Sequence, residues 1–373
     1  MPSRRARIGY FLLIASTIML AATWFVCVTV NFFWNASIVS PWQIIPGVLT
    51  ALFVVTTILG RRFANGWLRM AYTISAAWLG LVNFGFFAAW ACWITLGIFT
   101  LTSHHISLRI LVEIYFGCGI LVSIYGFVNA SLLRVTQVVV KLPNLPDAWR
   151  NGTVAVLTDL HLGNVRGAGF VRRVVAEVQR LQPRAVFIPG DLFDGTRADL
   201  DALIAPLKDL SAPAGIYYVT GNHEEFTDRT KFLAAVARAG IRVLNDEKIE
   251  VDSLQLIGVH DKELHAPQVY RSILQRAHID RNRPSVLLAH EPLNMAVADE
   301  EGVSAQFCGH THGGQIWPWT LVAARVHRRF NHGLNRMGKM LVYTSYGAGT
   351  WGPPMRVGTS AEIVMVRFES GTS

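Results

Sequence analysis

Four stretches with almost no charged side chain, Ile8 to Val30, Gln43 to Leu59, Trp67 to Phe99 and Ile106 to Ala130, fill the first third of this 373-residue chain. A hydrocarbon core about 30 Å thick takes about 20 mostly apolar residues per helix. Each stretch therefore predicts a spanning helix, and the third is long enough to tilt, kink or lie partly in the interface. A soluble helical bundle is the alternative, but helices this poor in charge would have no polar face for water. Trp24, Trp34, Trp42, Trp67 and Trp93 lie near several of the ends, where an indole is favoured between headgroup and hydrocarbon. The mean hydropathy of +0.34, with 16% charged residues, reflects this one region. The chain accordingly divides into an all-α transmembrane region of about four helices over residues 1–135, a short linker over 136–150 around Lys141-Leu-Pro-Asn-Leu-Pro-Asp147, and a domain over 151–373.

Orientation follows from the basic residues of short loops. Arg4, Arg5 and Arg7 precede the first stretch, Arg61, Arg62 and Arg69 lie between the second and third, and Arg134 and Lys141 follow the fourth, whereas Asn31 to Trp42 and Thr100 to Ser107 carry none. That bias predicts a multi-pass protein of the cell inner membrane with Ser373 and the C-terminal domain in the cytoplasm. Ser3-Arg4-Arg5 faintly resembles a twin-arginine export signal, which keeps the exported side as an alternative. The net charge of +9 attracts nucleic acid, anionic lipid or a phosphorylated substrate alike. No nucleic-acid-binding motif is present, so no nucleic-acid partner is expected. Glu113 is the only acidic residue within the spans and lies near an end, which argues against transport. Three of the four cysteines lie in apolar stretches and imply no disulfide framework. Asn35-Ala-Ser and Asn151-Gly-Thr match the glycosylation pattern, but a three-residue pattern recurs by chance.

From Thr153 onward short apolar runs alternate with helical stretches. Thr153 to Thr158, Ala185 to Pro189, Gly215 to Thr220, Leu254 to Val259, Ser285 to Ala289 and Ala305 to Cys308 read as strands, Phe170 to Leu181 and Thr230 to Ala239 as helices. An α/β domain follows. Five of the strands run into polar motifs: Asp159-Leu-His161, Gly190-Asp191, Gly221-Asn222-His223-Glu224, His290 and Gly309-His310-Thr-His312. A lone histidine is more often structural than a ligand, but this shared position after apolar runs makes coincidence implausible.

The residue types suit one chemistry. Cleaving a phosphoester at neutral pH requires a strong nucleophile and positive charge on the phosphoryl oxygens, which two metal ions about 3.5–4 Å apart supply together. A carboxylate must then bridge the ions, and Asp191 is the natural choice. Mixed imidazole, carboxylate and amide donors favour Mn, Fe or Zn over Ca, with Mn first among them. Gly190, Gly221 and Gly309 permit tight turns where the ligands must point inward.

In these motifs, D-x-H, G-D, G-N-H-D/E, H and G-H-x-H in that order, the chain resembles the calcineurin-like metallophosphoesterases over about Thr153 to Val366. The resemblance implies a two-sheet β-sandwich flanked by helices. It also implies two divalent metal ions, one held by Asp159, His161, Asp191 and His312, the other by Asp191, Asn222, His290 and His310, with His223 contacting the phosphate and assisting the leaving group. Gly309-His-Thr-His-Gly-Gly-Gln315 and Tyr343-Thr-Ser-Tyr-Gly-Ala-Gly-Thr-Trp-Gly-Pro-Pro-Met-Arg356 are similar to the membrane-associated bacterial branch. That branch includes phosphodiesterases and an enzyme cleaving UDP-diacylglucosamine.

Outside the motifs, His104, His105, His265, His278, His327 and His332 are expected in solvent, and His260, where such sequences usually show an acidic residue, on the surface, with a substrate contact as the alternative. Glu224 is expected to support its loop, and Asp194 to orient ligand imidazoles from behind. Ile316-Trp-Pro-Trp-Thr-Leu-Val322, followed by Arg325, Arg328 and Arg329, pairs an apolar surface with a basic one. The expected substrate is a phosphorylated, lipid-linked molecule at the membrane, with Arg328 and Arg329 binding it. Soluble small phosphoesters, or a non-catalytic membrane scaffold, are the alternatives.

Overall fold

A computed structural model describes residues 4–34, 44–60, 62–150, 152–196, 198–226 and 228–371, with side chains from residue 14 onward. Trp42, Arg61, Asn151, Ser373 and the Asn35-Ala-Ser pattern lie outside the described residues, as do the side chains of Arg4, Arg5 and Arg7. The chain forms two compact units.

The first unit is all-α, with helices α1 (Arg4–Trp34), α2 (Ile44–Leu59), α3 (Gly66–Leu101) and α4 (Leu108–Asn129). Three of them are long and apolar enough to cross a membrane: α1 from Ile14, α3 and α4. The expected count of about four is therefore approximate, because the second helix is shorter. At 16 residues, α2 reaches only about 24 Å against a core of about 30 Å. Polar side chains join the helices where lipid offers no alternative partner. Thr23 and Thr50 hydroxyls meet at 2.8 Å, Trp78 Nε1 donates to Thr50 Oγ1, and Trp93 Nε1 donates to Thr29 Oγ1. Most large apolar side chains of this unit face outward, as lipid-facing helices require.

Among the described residues, the second unit contains twelve strands in two six-stranded sheets. One sheet has the order β1 (Leu133–Leu142), β12 (Ala361–Ser370), β2 (Thr153–Val156), β3 (Ala185–Pro189), β4 (Ile216–Val219), β5 (Arg242–Val243). The other runs β10 (Gly333–Met337), β11 (Met340–Thr344), β9 (Ala305–Cys308), β8 (Ser285–Leu288), β7 (Leu254–Gly258), β6 (Glu247–Val251). Alternation along β2 and β3 shows the layering. Val154, Val156, Ala185 and Phe187 face the second sheet, whereas Ala155, Val186 and Ile188 pack under α5 (Ala168–Leu181) and α8 (Arg229–Arg238). On the far side α10 (Pro267–Arg276) and α11 (Met295–Glu300) cover the second sheet. Helices therefore flank a two-sheet sandwich. The central strands are buried on both faces, so their sequences read as continuous apolar runs.

The stretch 136–150 does not separate the units. Residues 136–142 of it belong to β1, which pairs in parallel with β12 from Leu133–Ala361 to Leu142–Ser370. Trp149 beyond it is fully buried, its Nε1 donating to Val251 O at 3.0 Å.

Candidate metal centre

The polar motifs all follow the C-terminal ends of β2, β3, β4, β8 and β9, and the loops after β2 and β3 continue side by side. His161 N donates to Asp191 O and Leu162 N to Leu192 O. Glu224 ties them to the next loop, accepting from the amides of Asp191, Phe193 and Gly221 at 2.7–3.2 Å. It supports the loop, as expected. Asp159, His161, Asp191, His310 and His312 adopt φ of 54°, 49°, 49°, 70° and 46°. Non-glycine residues rarely take this left-handed region, and such strain concentrates at functional sites. Gly190 (φ 86°) supplies an angle that favours glycine. Gly309 instead supplies space, since a Cβ there would strike the Asp159 carboxylate.

The seven side chains predicted to bind metal converge in two sets. In one, His161 Nε2 and His312 Nε2 are 2.9 Å apart, His312 Nε2 is 3.3 Å from Asp159 Oδ1, and His161 Nε2 is 3.7 Å from Asp191 Oδ2. In the other, Asn222 Oδ1 lies 3.1 Å from His290 Nε2 and 3.0 Å from His310 Nδ1, and His290 Nε2 is 3.2 Å from Asp191 Oδ2. Donors about 2.1 Å from one transition-metal ion sit about 3.0–3.4 Å apart when adjacent, and most of these separations lie near that range. His290 Nδ1 meets Pro189 O at 2.9 Å, which fixes the ring and aims Nε2 inward.

Electrostatics also favour a cation here. Burial pushes the Asp159 carboxyl up to about 6. Burial and neighbouring histidine charge hold His161 and His312 well below the usual imidazole range, and His310 at about 3. Two neutral imidazoles share the 2.9 Å gap, so at least one lone pair points into it. His290 is the exception. Burial opposes its charge, but the Asp191 carboxylate raises it well above its ordinary value, and Asp191 is held correspondingly low.

His223 lies beside the cluster, its ring 4.6 Å from that of His161. Its backbone N donates to Asp191 Oδ1, and its Nδ1 is 3.2 Å from Asp194 O. Asp194 approaches both His161 Nδ1 (3.9 Å) and His223 Nδ1 (3.8 Å), and burial raises its carboxyl to about 7. Arg328 and Arg329 are not among the converging groups. They are exposed, in a 3-10 turn after α12 (Trp319–His327), with the Arg329 guanidinium 4.9 Å from the Phe330 ring. The link to the cluster is His327, whose half-buried ring is 6.1 Å from that of His310.

Three features escaped the sequence reading. His260 is fully buried, not on the surface: Thr220 N donates to its Nδ1 at 3.1 Å, and its Nε2 meets Asn245 Oδ1. His332 is partly buried, at 3.2 Å from the Glu362 carboxylate, which also accepts from Thr136, Ser345 and Tyr346 N. Arg356 is fully buried behind His312, donating to the carbonyls of Tyr346 and Gly349 at 2.7 Å and approaching His312 Nδ1 at 3.2 Å. Its only sequence signal is the glycine-rich loop before it, whose carbonyls need donors. A further group, Asp261, His265 and Glu291, adjoins the cluster, with His265 Nε2 at 3.5 and 3.7 Å from the two carboxylates.

Residues 152–314 match the calcineurin-like phosphoesterase family. An uncharacterized metallophosphoesterase of Campylobacter jejuni is 30% identical over 72% of this chain and 72% of its own length. Another from Aquifex aeolicus is 30% identical over 67% of this chain and 97% of its own. A bovine transmembrane protein with metallophosphoesterase domain is 32% identical over 66% of this chain, and the match spans only 60% of that protein. The chain belongs to the calcineurin-like metallophosphoesterases. It is a membrane protein whose family implies divalent metal ions and hydrolysis of phosphoester bonds.

Proposed function

We propose that the chain cleaves a phosphodiester or pyrophosphate bond in a lipid-linked substrate at a membrane. Asp159, His161, Asp191 and His312 would hold one divalent ion and Asp191, Asn222, His290 and His310 the second, Mn being preferred. Support comes from one oxygen, Asp191 Oδ2, which lies near both His290 Nε2 (3.2 Å) and His161 Nε2 (3.7 Å). Two such ions supply a nucleophile at neutral pH and positive charge beside the phosphoryl oxygens. His223 keeps Nδ1–H on the Asp194 carbonyl, and Nε2, when the ring carries a second proton, can give that proton to the leaving oxygen. Arg328 and Arg329 contact the anionic headgroup. The apolar helices and the Trp317–Trp319 turn beside His312 favour a lipid over a small soluble ester.

Purified full-length protein should hydrolyse bis-p-nitrophenyl phosphate in a metal-dependent way, and lipid pyrophosphates faster. Asp191→Asn should lower both rates at least about 10³-fold, since the carboxylate positions both ions. Undiminished activity in that variant or after exhaustive chelation would remove the two-metal reading. Faster cleavage of short soluble phosphates than of any lipid would remove the substrate class alone. The basic loops orient the domain toward the cytoplasm of an inner-membrane protein. A C-terminal alkaline phosphatase fusion active in the periplasm would reverse that orientation.

A further inference from the structure

Helix α12 inverts the ordinary amphipathic arrangement. None of its nine residues is buried, and the stripe turned toward the domain is Thr320, Ala323 and His327. Outward face Trp319, Leu321, Val322 and Val326, which are 56%, 62%, 51% and 67% exposed, and Trp317 just before them is 42% exposed. A surface helix normally turns its apolar stripe to the core. A contiguous apolar patch left outside marks an interaction surface.

Charge identifies the occupant. Residues 302–361 contain no Asp or Glu, while Arg325, Arg328, Arg329, Arg336 and Lys339 gather on and after the helix. The covalent connection agrees: α4 ends at Asn129 and β1 starts at Leu133. Only residues 130–132 lie between an apolar helix of spanning length and the first strand of the sandwich, about 10 Å of extended chain. The domain is thus confined to a bilayer surface.

We propose that α12 and the Trp317 turn lie in the headgroup–acyl boundary of an anionic bilayer. Trp319, Leu321, Val322 and Val326 meet acyl chains, and Arg325, Arg328 and Arg329 meet headgroup phosphates. The His327 contact with His310 places the same helix at the edge of the metal cluster, so an amphiphile reaches it without leaving the bilayer. This surface rests on exposure and charge, not on the hydrolytic reading.

The test is photocrosslinking of the full chain in nanodiscs, with p-benzoylphenylalanine replacing Val322, Val326 or, as control, the exposed Val269 of α10. In phosphatidylglycerol discs the first two positions should give lipid adducts several-fold above Val269, and the excess should shrink several-fold in phosphatidylcholine. Yields no higher than Val269, or covalent dimers of the chain in place of lipid adducts, overturn the proposal. Equal yields in the two lipids overturn its headgroup half. Hydrolysis of bis-p-nitrophenyl phosphate by the same samples reports separately on the catalytic reading.

Discussion

At the strand ends, Asp159, His161, Asp191 and His312 are buried, have positive φ, and are held by neighbouring amides and side chains. A few residues further along, Trp319 to Arg329 forms the rim of the same site with no buried side chain in its helix. The interior is held from several sides by amides and side chains of neighbouring loops. The rim is determined by little within the domain and can follow what lies outside it. Interior residues should therefore affect every substrate alike, and rim residues only those that reach the rim.

His223 offers the largest effect that could break this division, because it belongs to the interior yet is proposed to act on the leaving group. His223→Ala should lower kcat by about 10²–10⁴-fold with an alkyl or sugar leaving group, as loss of general acid help does. The loss should be smaller with p-nitrophenolate, which leaves without a proton. Metal content by mass spectrometry should stay at the wild-type level. Equal losses with both leaving groups would reduce His223 to holding the phosphate, and lost metal would make it a ligand.

His260 tests whether the interior's support is as fixed as its ligands. Burial, with the nearby Arg229 charge, holds its imidazole at about 4 against an ordinary 6.5, and protonating Nδ1 would also break the bond from Thr220 N. The unfolded chain binds the proton more readily between pH 6.5 and 4, so this residue's contribution to stability is full above that window and falls as pH drops through it. The loss amounts to about 3 kcal/mol. His260→Gln should flatten that part of the profile when unfolding midpoints of metal-stripped wild type and variant are compared from pH 7 to 4. Parallel profiles would refute this assignment.

The division also explains what could be read from sequence. Strands such as Ala185-Val-Phe-Ile-Pro189 are buried on both faces, so each appears as an apolar run leading to its candidate ligand. The candidate ligand set was legible because phosphoester hydrolysis restricts the residue types. β1 was not, since its partner β12 lies more than 200 residues away in sequence and Pro143 and Pro146 follow it like a linker's. Nor were the buried positions of His260 and Arg356, because a histidine or arginine has the same letter in solvent and in a cavity lined by hydrogen-bond partners. The rim was legible only as composition, Trp and Arg side by side, without its inverted helix face.

The smallest effect belongs to Arg328 and Arg329. Both are exposed and neither approaches the ligand cluster, so Arg328→Ser with Arg329→Ser should leave metal content unchanged and a small soluble diester hydrolysed within about twofold of wild type. A basic residue near an anionic lipid surface contributes about 1 kcal/mol. Losing two should lower activity on lipid-embedded substrate about tenfold, mainly through KM, and the deficit should shrink as salt rises, because charges at a surface are screened within a Debye length of about 10 Å. The ratio of the two activities carries the argument, not either alone. If both fall equally, these arginines act on the reaction centre and the rim is part of the interior. If neither falls, contact with lipid rests on Trp319, Leu321, Val322 and Val326, and the substrate headgroup is held elsewhere.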